Sequence, residues 1–248
     1  WAWNEKRINE IKKYINSLYV ILPFEKEFFE SKHNYPVKFL GHPLADSIYN
    51  FKTNNISSNK LITTDKKPII AILPGSRKQE IKKILNTVIE TVKYFKEYQF
   101  IVAGAPNIDL SYYTSIIKNK KIKVIENKTY ELLSVSYAAI VTSGTATLET
   151  ALFKVPQVVC YKSSYFSFVI AKLIVNIKYI SLVNLIMDQE IVKELIQQDC
   201  NKNKITKELK KILDLNHRKS LKVKYDELTS ILGNFGTSKR VALDIITK

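Results

Sequence analysis

The sequence predicts an α/β protein built on a doubly wound parallel sheet. Apolar runs rich in β-branched residues recur at Pro68-Ile69-Ile70-Ala71-Ile72-Leu73, Phe100-Ile101-Val102-Ala103 and Ala138-Ala139-Ile140-Val141. Each run is followed closely by one of only six glycines, Gly75, Gly104 or Gly144. Helical spacing comes next, as in Ile81, Ile84, Leu85, Val88, Ile89 and Val92, or in Leu148, Ala151 and Leu152. Short unbroken apolar runs bounded by turn residues read as strands buried on both faces. Strands alternating with helices then build a parallel sheet covered on both sides.

Taken in order, the chain opens with a helix over Asn4 to Ser17, a short strand over Leu18 to Leu22 and the turn Leu22-Pro23-Phe24-Glu25. Trp1 to Asp46 is too short for a core of its own and reads as the tail of a preceding α/β domain. With Trp1 first and no signal-peptide pattern, the chain reads as a fragment whose beginning is missing. Lys52 to Lys67, dominated by Asn, Ser, Thr and Lys, reads as a linker. The expected organisation is therefore a tail and linker over 1–55, a Rossmann-like domain over 56–232 and a C-terminal helix over 233–248. Val158-Val159-Cys160-Tyr161 adds a further strand, and Lys204 to Lys248 is helical and charged.

Composition narrows the function classes. With 46% hydrophobic and 25% charged residues the chain is not disordered along its length. Lysines interrupt every candidate for the roughly 18 apolar residues that a spanning helix needs. Cys160 and Cys200 form no CxxC, and His33, His42 and His217 are scattered, so no metal site is expected and the thiols read as reduced in a cytosolic protein. The net charge of +16 suits a polyanion. Only Arg7, Arg77, Arg218 and Arg240 are arginines, however, and nucleic-acid readers favour the bidentate guanidinium. A solvated lysine surface accounts for the charge better than a dedicated nucleic-acid site.

Two loops carry the candidate chemistry. In Leu73-Pro74-Gly75-Ser76-Arg77-Lys78-Gln79-Glu80, a strand gives way to a helix, and Ser76 with Gln79 has the spacing of a capping box that starts the helix at Ser76. Helix N-termini favour anions, and Arg77 adds a fork that fits phosphate oxygens. An ion pair between Arg77 and Glu80 explains the same residues equally well. In Thr142-Ser143-Gly144-Thr145-Ala146-Thr147-Leu148-Glu149 the logic repeats: small residues admit a ligand to the backbone, hydroxyls can donate to phosphate or cap the helix, and Glu149 can accept both hydroxyls of a ribose. An ordinary helix start with Glu149 complementing the dipole fits too. Neither loop matches the Walker pattern or the dinucleotide fingerprint.

The order of short blocks resembles the lipid-A-disaccharide synthase family. The blocks are Trp1-Ala2-Trp3 with Arg7, Leu22-Pro23-Phe24-Glu25, Gly41-His42-Pro43-Leu44-Ala45-Asp46, Leu73-Pro74-Gly75-Ser76-Arg77 with Glu80, Ser143 to Glu149, Ser181-Leu182-Val183-Asn184-Leu185 and Glu194-Leu195-Ile196-Gln197. The family usually has Pro where Val183 stands. The resemblance implies two Rossmann-like domains facing across a cleft, the GT-B type, with this chain holding the C-terminal domain and only the tail of the N-terminal one. It implies an inverting transfer that joins UDP-2,3-diacylglucosamine to 2,3-diacylglucosamine 1-phosphate through a β-1,6 bond and releases UDP, with no metal and no cofactor.

By that resemblance Arg77, with the backbone of Gly75 and Ser76, stabilises the leaving UDP, while Ser143, Gly144 and Thr145 cradle phosphate. Glu149 holds the ribose, and Asn184 and Gln197 reach the donor sugar or the phosphates. The general base lies outside this chain: His42 reads as part of a rigid Gly-His-Pro turn, and Glu25 as a helix-start carboxylate. The implied partners are the two acylated sugars and the cytoplasmic face of the inner membrane, to which the protein would attach peripherally; no nucleic acid is expected. Tyr165 to Ile180, apolar on most of its circumference with Lys172 and Lys178, fits docking on anionic lipid, and equally a buried helix or one at a homodimer interface. Another UDP-N-acetylglucosamine-using transferase or epimerase of the same design is the alternative enzyme, and a basic nucleic-acid-binding module the alternative class. Only the module predicts DNA binding that falls steeply with salt.

Overall fold

The computed structural model describes residues 4–54, 66–118, 122–162 and 178–247. Trp1-Ala2-Trp3, most of the Lys52 to Lys67 linker and most of Tyr165 to Ile180 lie outside these residues. Helix α1 (Arg7–Tyr14) leads into β1 (Tyr19–Val20). It is shorter than Asn4 to Ser17 because no side chain caps its start and Ile15 is already extended. After α2 (Pro23–Glu27) and a π-helical turn over Phe28–Lys32, β2 (Lys38–Phe39) runs parallel to β1, with Tyr19 opposite Lys38. Ile8, Val20, Phe29 and Val37 form the small core of this layer. Helix α3 (Pro43–Asn54) then carries the chain away from it.

The main sheet contains β3 (Ile69–Leu73), β4 (Gln99–Gly104), β5 (Ile122–Glu126), β6 (Ser136–Thr142), β7 (Gln157–Tyr161) and β8 (Lys193–Ile196). Their order is β5-β4-β3-β6-β7-β8, and every neighbouring pair is parallel. Successive side chains of a strand point to opposite faces, so a doubly covered strand must feed two cores. In β3, Ile70 and Ile72 enter one cluster, and Ile69, Ala71 and Leu73 the other. The crossovers are α4 (Lys78–Val92), α5 (Leu110–Ile116), α6 (Thr129–Val135) and α7 (Thr145–Leu152). Helix α8 (Leu182–Met187) precedes β8, and α9 (Lys202–Leu213), α10 (Leu215–Leu232) and α11 (Thr237–Ile246) complete the chain. The expected parallel α/β architecture is thus present, and Cys160 and Cys200 are buried, unbonded thiols.

Helix α11 ties the chain's end to its beginning. Asp46 of α3 accepts hydrogen bonds from the backbone N–H groups of Gly236, Thr237 and Ser238 at 2.6, 3.1 and 2.8 Å. At the far end, Asp244 accepts from Tyr19 Oη and Lys38 Nζ in the β1–β2 layer. Burial alone would raise the pKa of Asp46, but the hydrogen bonds from Ser238, Gly236 and Thr237 outweigh it and the net shift is downward. Its contribution to stability is therefore complete at neutral pH and is lost as pH falls below about 4. Asp46→Ala is expected to lower unfolding free energy by about 2–3 kcal/mol, read from urea denaturation at pH 7. An unchanged midpoint would show that these three bonds do not hold α11.

Candidate functional site

β3 and β6 lie side by side, with Leu73 opposite Val141, yet the chain leaves them toward opposite halves of the sheet. Their carboxyl-terminal loops therefore diverge and leave a crevice, the place where open α/β sheets bind ligands. A cavity of about 360 Å³ fills it, lined by Gly75, Ser76, Arg77 and Glu80 on one side and by Thr142, Ser143, Gly144, Thr145 and Glu149 on the other. Seven of the nine residues singled out in the sequence as donor-binding thus share one cavity; Asn184 and Gln197 do not line it.

On the first wall, Gly75 adopts φ +97°, and a Cβ there would stand 3.1 Å from Glu80 Oε2 and 3.4 Å from Thr142 Cγ2. The expected capping box is not made. Arg77, extended at φ −110° and ψ 131°, is the N-cap, α4 begins at Lys78, and no side chain caps it. The turn at Gly75 leaves Ser76 one position too early, its carbonyl accepting from Asn107 Nδ2 at 3.4 Å. Arg77 is 80% exposed and donates from Nη1 to Glu80 Oε1 at 2.8 Å, a bond that raises the guanidinium pKa. The uncapped helix start presents its positive end to the cavity.

On the second wall, Gly144 is the N-cap of α7, again without a capping side chain. Its φ is +151°, and a Cβ would meet nothing within 4 Å. The backbone there is open to a ligand. Ser143 is differently engaged: its N–H donates to Cys160 O at 3.1 Å and its Oγ to Ile180 O at 2.7 Å, so both donors are spent inside the protein. Thr147, one turn on, donates from Oγ1 to Gly144 O.

Glu149 projects from the first turns of α7 and is partly buried. Burial raises its pKa, opposed by Tyr130, whose hydroxyl donates to Oε1 at 3.1 Å. The Tyr130 ring sits 5.5 Å from Phe51 and 5.3 Å from Phe153, so packing fixes the hydroxyl's position. Sequence reasoning missed Tyr130 and Thr129 and placed Thr142 in its loop without singling it out. Tyr130 lies nineteen residues before its partner, and nothing in an aromatic residue on a helix announces a carboxylate across the fold.

Asn184 corrects an expectation. It has no exposed surface, and all four of its hydrogen-bonding positions are used inside the protein. Nδ2 donates to Val192 O and Glu194 Oε1, each at 2.8 Å, and Oδ1 accepts from Ile191 N and Val192 N at 2.8 and 2.9 Å. Glu194 also accepts from Ile180 N, Ser181 N and Ser181 Oγ. The Ser181–Leu185 and Glu194–Gln197 blocks are therefore two halves of one polar knot. Gln197, just past β8, has φ +52° and donates from its backbone to Tyr161 O at 2.8 Å.

Two other residues weighed as bases have local partners. His42 Nδ1 accepts from Leu44 N at 3.1 Å in a buried turn, and burial lowers its pKa, against an upward pull from Glu25. Glu25 accepts from Ile21 N and Leu22 N at the start of α2. Among the described residues no group of three His, Cys, Asp or Glu side chains could hold a metal ion, and no helix is long and apolar enough to cross a membrane.

A sequence model of the family described as lipid-A-disaccharide synthetase matches residues 1–243. The chain is 36% identical over 251 residues to lipid-A-disaccharide synthase of Coxiella burnetii (strain RSA 331 / Henzerling II), covering 98% of this chain and 65% of that protein. It is 33% identical over 256 residues to the synthase of Persephonella marina, covering 98% and 67%. The chain thus spans about 65% of the length of the Coxiella relatives. Among solved structures, UDP-GlcNAc 2-epimerase from Neisseria meningitidis bound to UDP-GlcNAc superposes with TM-score 0.62 at 13% identity, over 100% of this chain and 66% of that one. The calicheamicin glycosyltransferase CalG4 gives 0.60 at 12%, over 98% and 56%. These likenesses show the fold, that of GT-B glycosyltransferases and UDP-GlcNAc epimerases.

Proposed function

Because this chain belongs to the lipid-A-disaccharide synthase family, we propose that its cavity between the two glycine loops holds the UDP part of a sugar donor and that the protein makes the lipid A disaccharide. The observation that carries the reading is the convergence of two uncapped helix starts, Arg77 and Glu149 on one cavity at the point where the sheet's connections diverge. The diphosphate takes the helix starts of α4 and α7, and Glu149 takes the ribose hydroxyls. Arg77 exchanges Glu80 for a phosphate oxygen. The 6-hydroxyl oxygen of 2,3-diacylglucosamine 1-phosphate attacks the anomeric carbon of UDP-2,3-diacylglucosamine, and the bond to the β-phosphate oxygen breaks. That oxygen leaves with the electron pair, its charge met by Arg77 and the helix dipoles. The hydroxyl proton passes to a base that no described residue supplies. No metal takes part in this scheme, and the acylated substrates place the protein at the cytoplasmic face of the inner membrane.

Full-length protein given both acylated sugars is expected to release one UDP for each disaccharide formed. UDP released without disaccharide, or disaccharide formed from a different nucleotide sugar, would replace this reading with another enzyme of the same fold.

Tyr130 enters through Glu149. Its hydrogen bond favours the carboxylate against burial, so removing it raises the Glu149 pKa further. Tyr130→Phe is expected to weaken UDP binding about 3- to 10-fold and to move the acid limb of the affinity–pH profile to higher pH. A parallel loss at every pH would mean that Tyr130 acts by packing alone.

A further inference from the structure

Thr142 is the last residue of β6 and lines the cavity, yet it is only 5% exposed. Its Oγ1 is fully buried and has no hydrogen-bond partner. A buried hydroxyl without a partner is rare and calls for a reason, because valine would fill the same space in a strand at no polar cost. None of the other side-chain atoms in this state among the described residues belongs to a residue lining this cavity. The methyl group, not the hydroxyl, faces the glycine loop: a Cβ on Gly75 would lie 3.4 Å from Thr142 Cγ2. A turn of about 120° about χ1 carries the hydroxyl of a threonine to the staggered position that the methyl held, and the methyl to that of the Cβ hydrogen. It would bring Oγ1 to the space that the missing side chain of Gly75 leaves open.

We propose that Thr142 is a ligand-responsive donor of the anion site, its hydroxyl turning from its unpartnered position toward the Gly75 loop to hydrogen-bond a phosphate oxygen. The proposal rests on reading this cavity as a diphosphate site. It assigns the oxygen's partner to the end of β6, beneath the loop residues that the sequence singles out. It also explains why Gly75 and Thr142 face each other: a side chain at Gly75 would occupy the volume through which the hydroxyl turns.

Thr142→Val and Thr142→Ser, beside the unaltered 248-residue chain, are to be titrated by calorimetry with UDP and separately with inorganic pyrophosphate, with thermal unfolding of each ligand-free chain. Thr142→Val is expected to unfold at an equal or higher temperature while binding both probes about 5- to 20-fold more weakly; Thr142→Ser stays within about threefold of the unaltered chain. A valine variant that binds both probes as tightly as the unaltered chain overturns the proposal and leaves the nucleotide reading standing. Pyrophosphate binding that valine weakens, in a chain that does not take UDP, upholds the proposal and overturns the nucleotide reading. Failure of the unaltered chain to bind either probe overturns both.

Discussion

Glu149→Gln is expected to weaken UDP binding by about 10- to 100-fold while leaving the ligand-free chain at least as stable as before. The two effects have one cause. Glu149 is a partly buried carboxylate whose desolvation raises its pKa, only partly offset by the hydrogen bond from Tyr130. A folded pKa above the unfolded one means that the folded state favours the neutral carboxyl, so the ionised form opposes folding at neutral pH. Glutamine removes that charge and can still accept from Tyr130. The stability gain should therefore be present at pH 7 and fade as pH falls and Glu149 takes up its proton. Binding follows the opposite course. A carboxylate accepts from two hydroxyls with charge assistance, and an amide offers one oxygen without charge. Such opposition between stability and binding is expected where a site keeps a group that the fold alone would discard. Unaltered affinity in Glu149→Gln would remove Glu149 from the ligand.

Asn184→Ala is expected to act through the fold. The side chain spans the gap between the start of α8 and the entry to β8, and its loss strands the buried N–H of Val192 and takes a donor from Val192 O and Glu194, while the Ile191 N–H keeps Gln189 O at 2.9 Å. One stranded donor costs about 1–3 kcal/mol, and with the two lost bonds from Nδ2 a total of roughly 2–4 kcal/mol is expected, a large part of a domain's 5–15 kcal/mol. Asn184→Asp should be no milder, since it sets a second carboxylate against Glu194, whose Oε1 is 2.8 Å from Nδ2. Urea denaturation measures the loss, and UDP titration of whatever fraction stays folded should give an affinity near that of the unaltered chain. Full stability with abolished UDP binding would restore Asn184 as a direct ligand contact.

This case marks where the sequence is legible. β3, β4 and β6 are readable because strands covered on both faces leave no polar position to interrupt the run, and Ile70, Ala71, Ile72 and Val102 have no exposed surface. The two glycine loops follow from those strands, since a buried parallel strand must end in a turn that feeds a crossover helix. The start of α4 is not readable. Ser76 and Gln79 have the spacing of a capping box, but the positive φ at Gly75 and the extended Arg77 delay the helix to Lys78. Asn184 is illegible for a different reason: an asparagine that reaches a ligand and one that knots two loops are the same letter. Only Val192 and Glu194, brought beside it by the fold, distinguish them. Thr142 and Tyr130 likewise gain their meaning from neighbours distant in sequence, Gly75 for one and Glu149 for the other.

The central claim is that the cavity between the Gly75 and Gly144 loops is a uridine nucleotide site. The most direct test is a calorimetric titration of the 248-residue chain with UDP, with ADP as the control nucleotide and Arg77→Ala beside the unaltered chain. Saturable binding of one UDP per chain, tighter than ADP and weakened by Arg77→Ala, is the predicted result. A folded chain that binds neither nucleotide, or binds ADP as well as UDP, would contradict it.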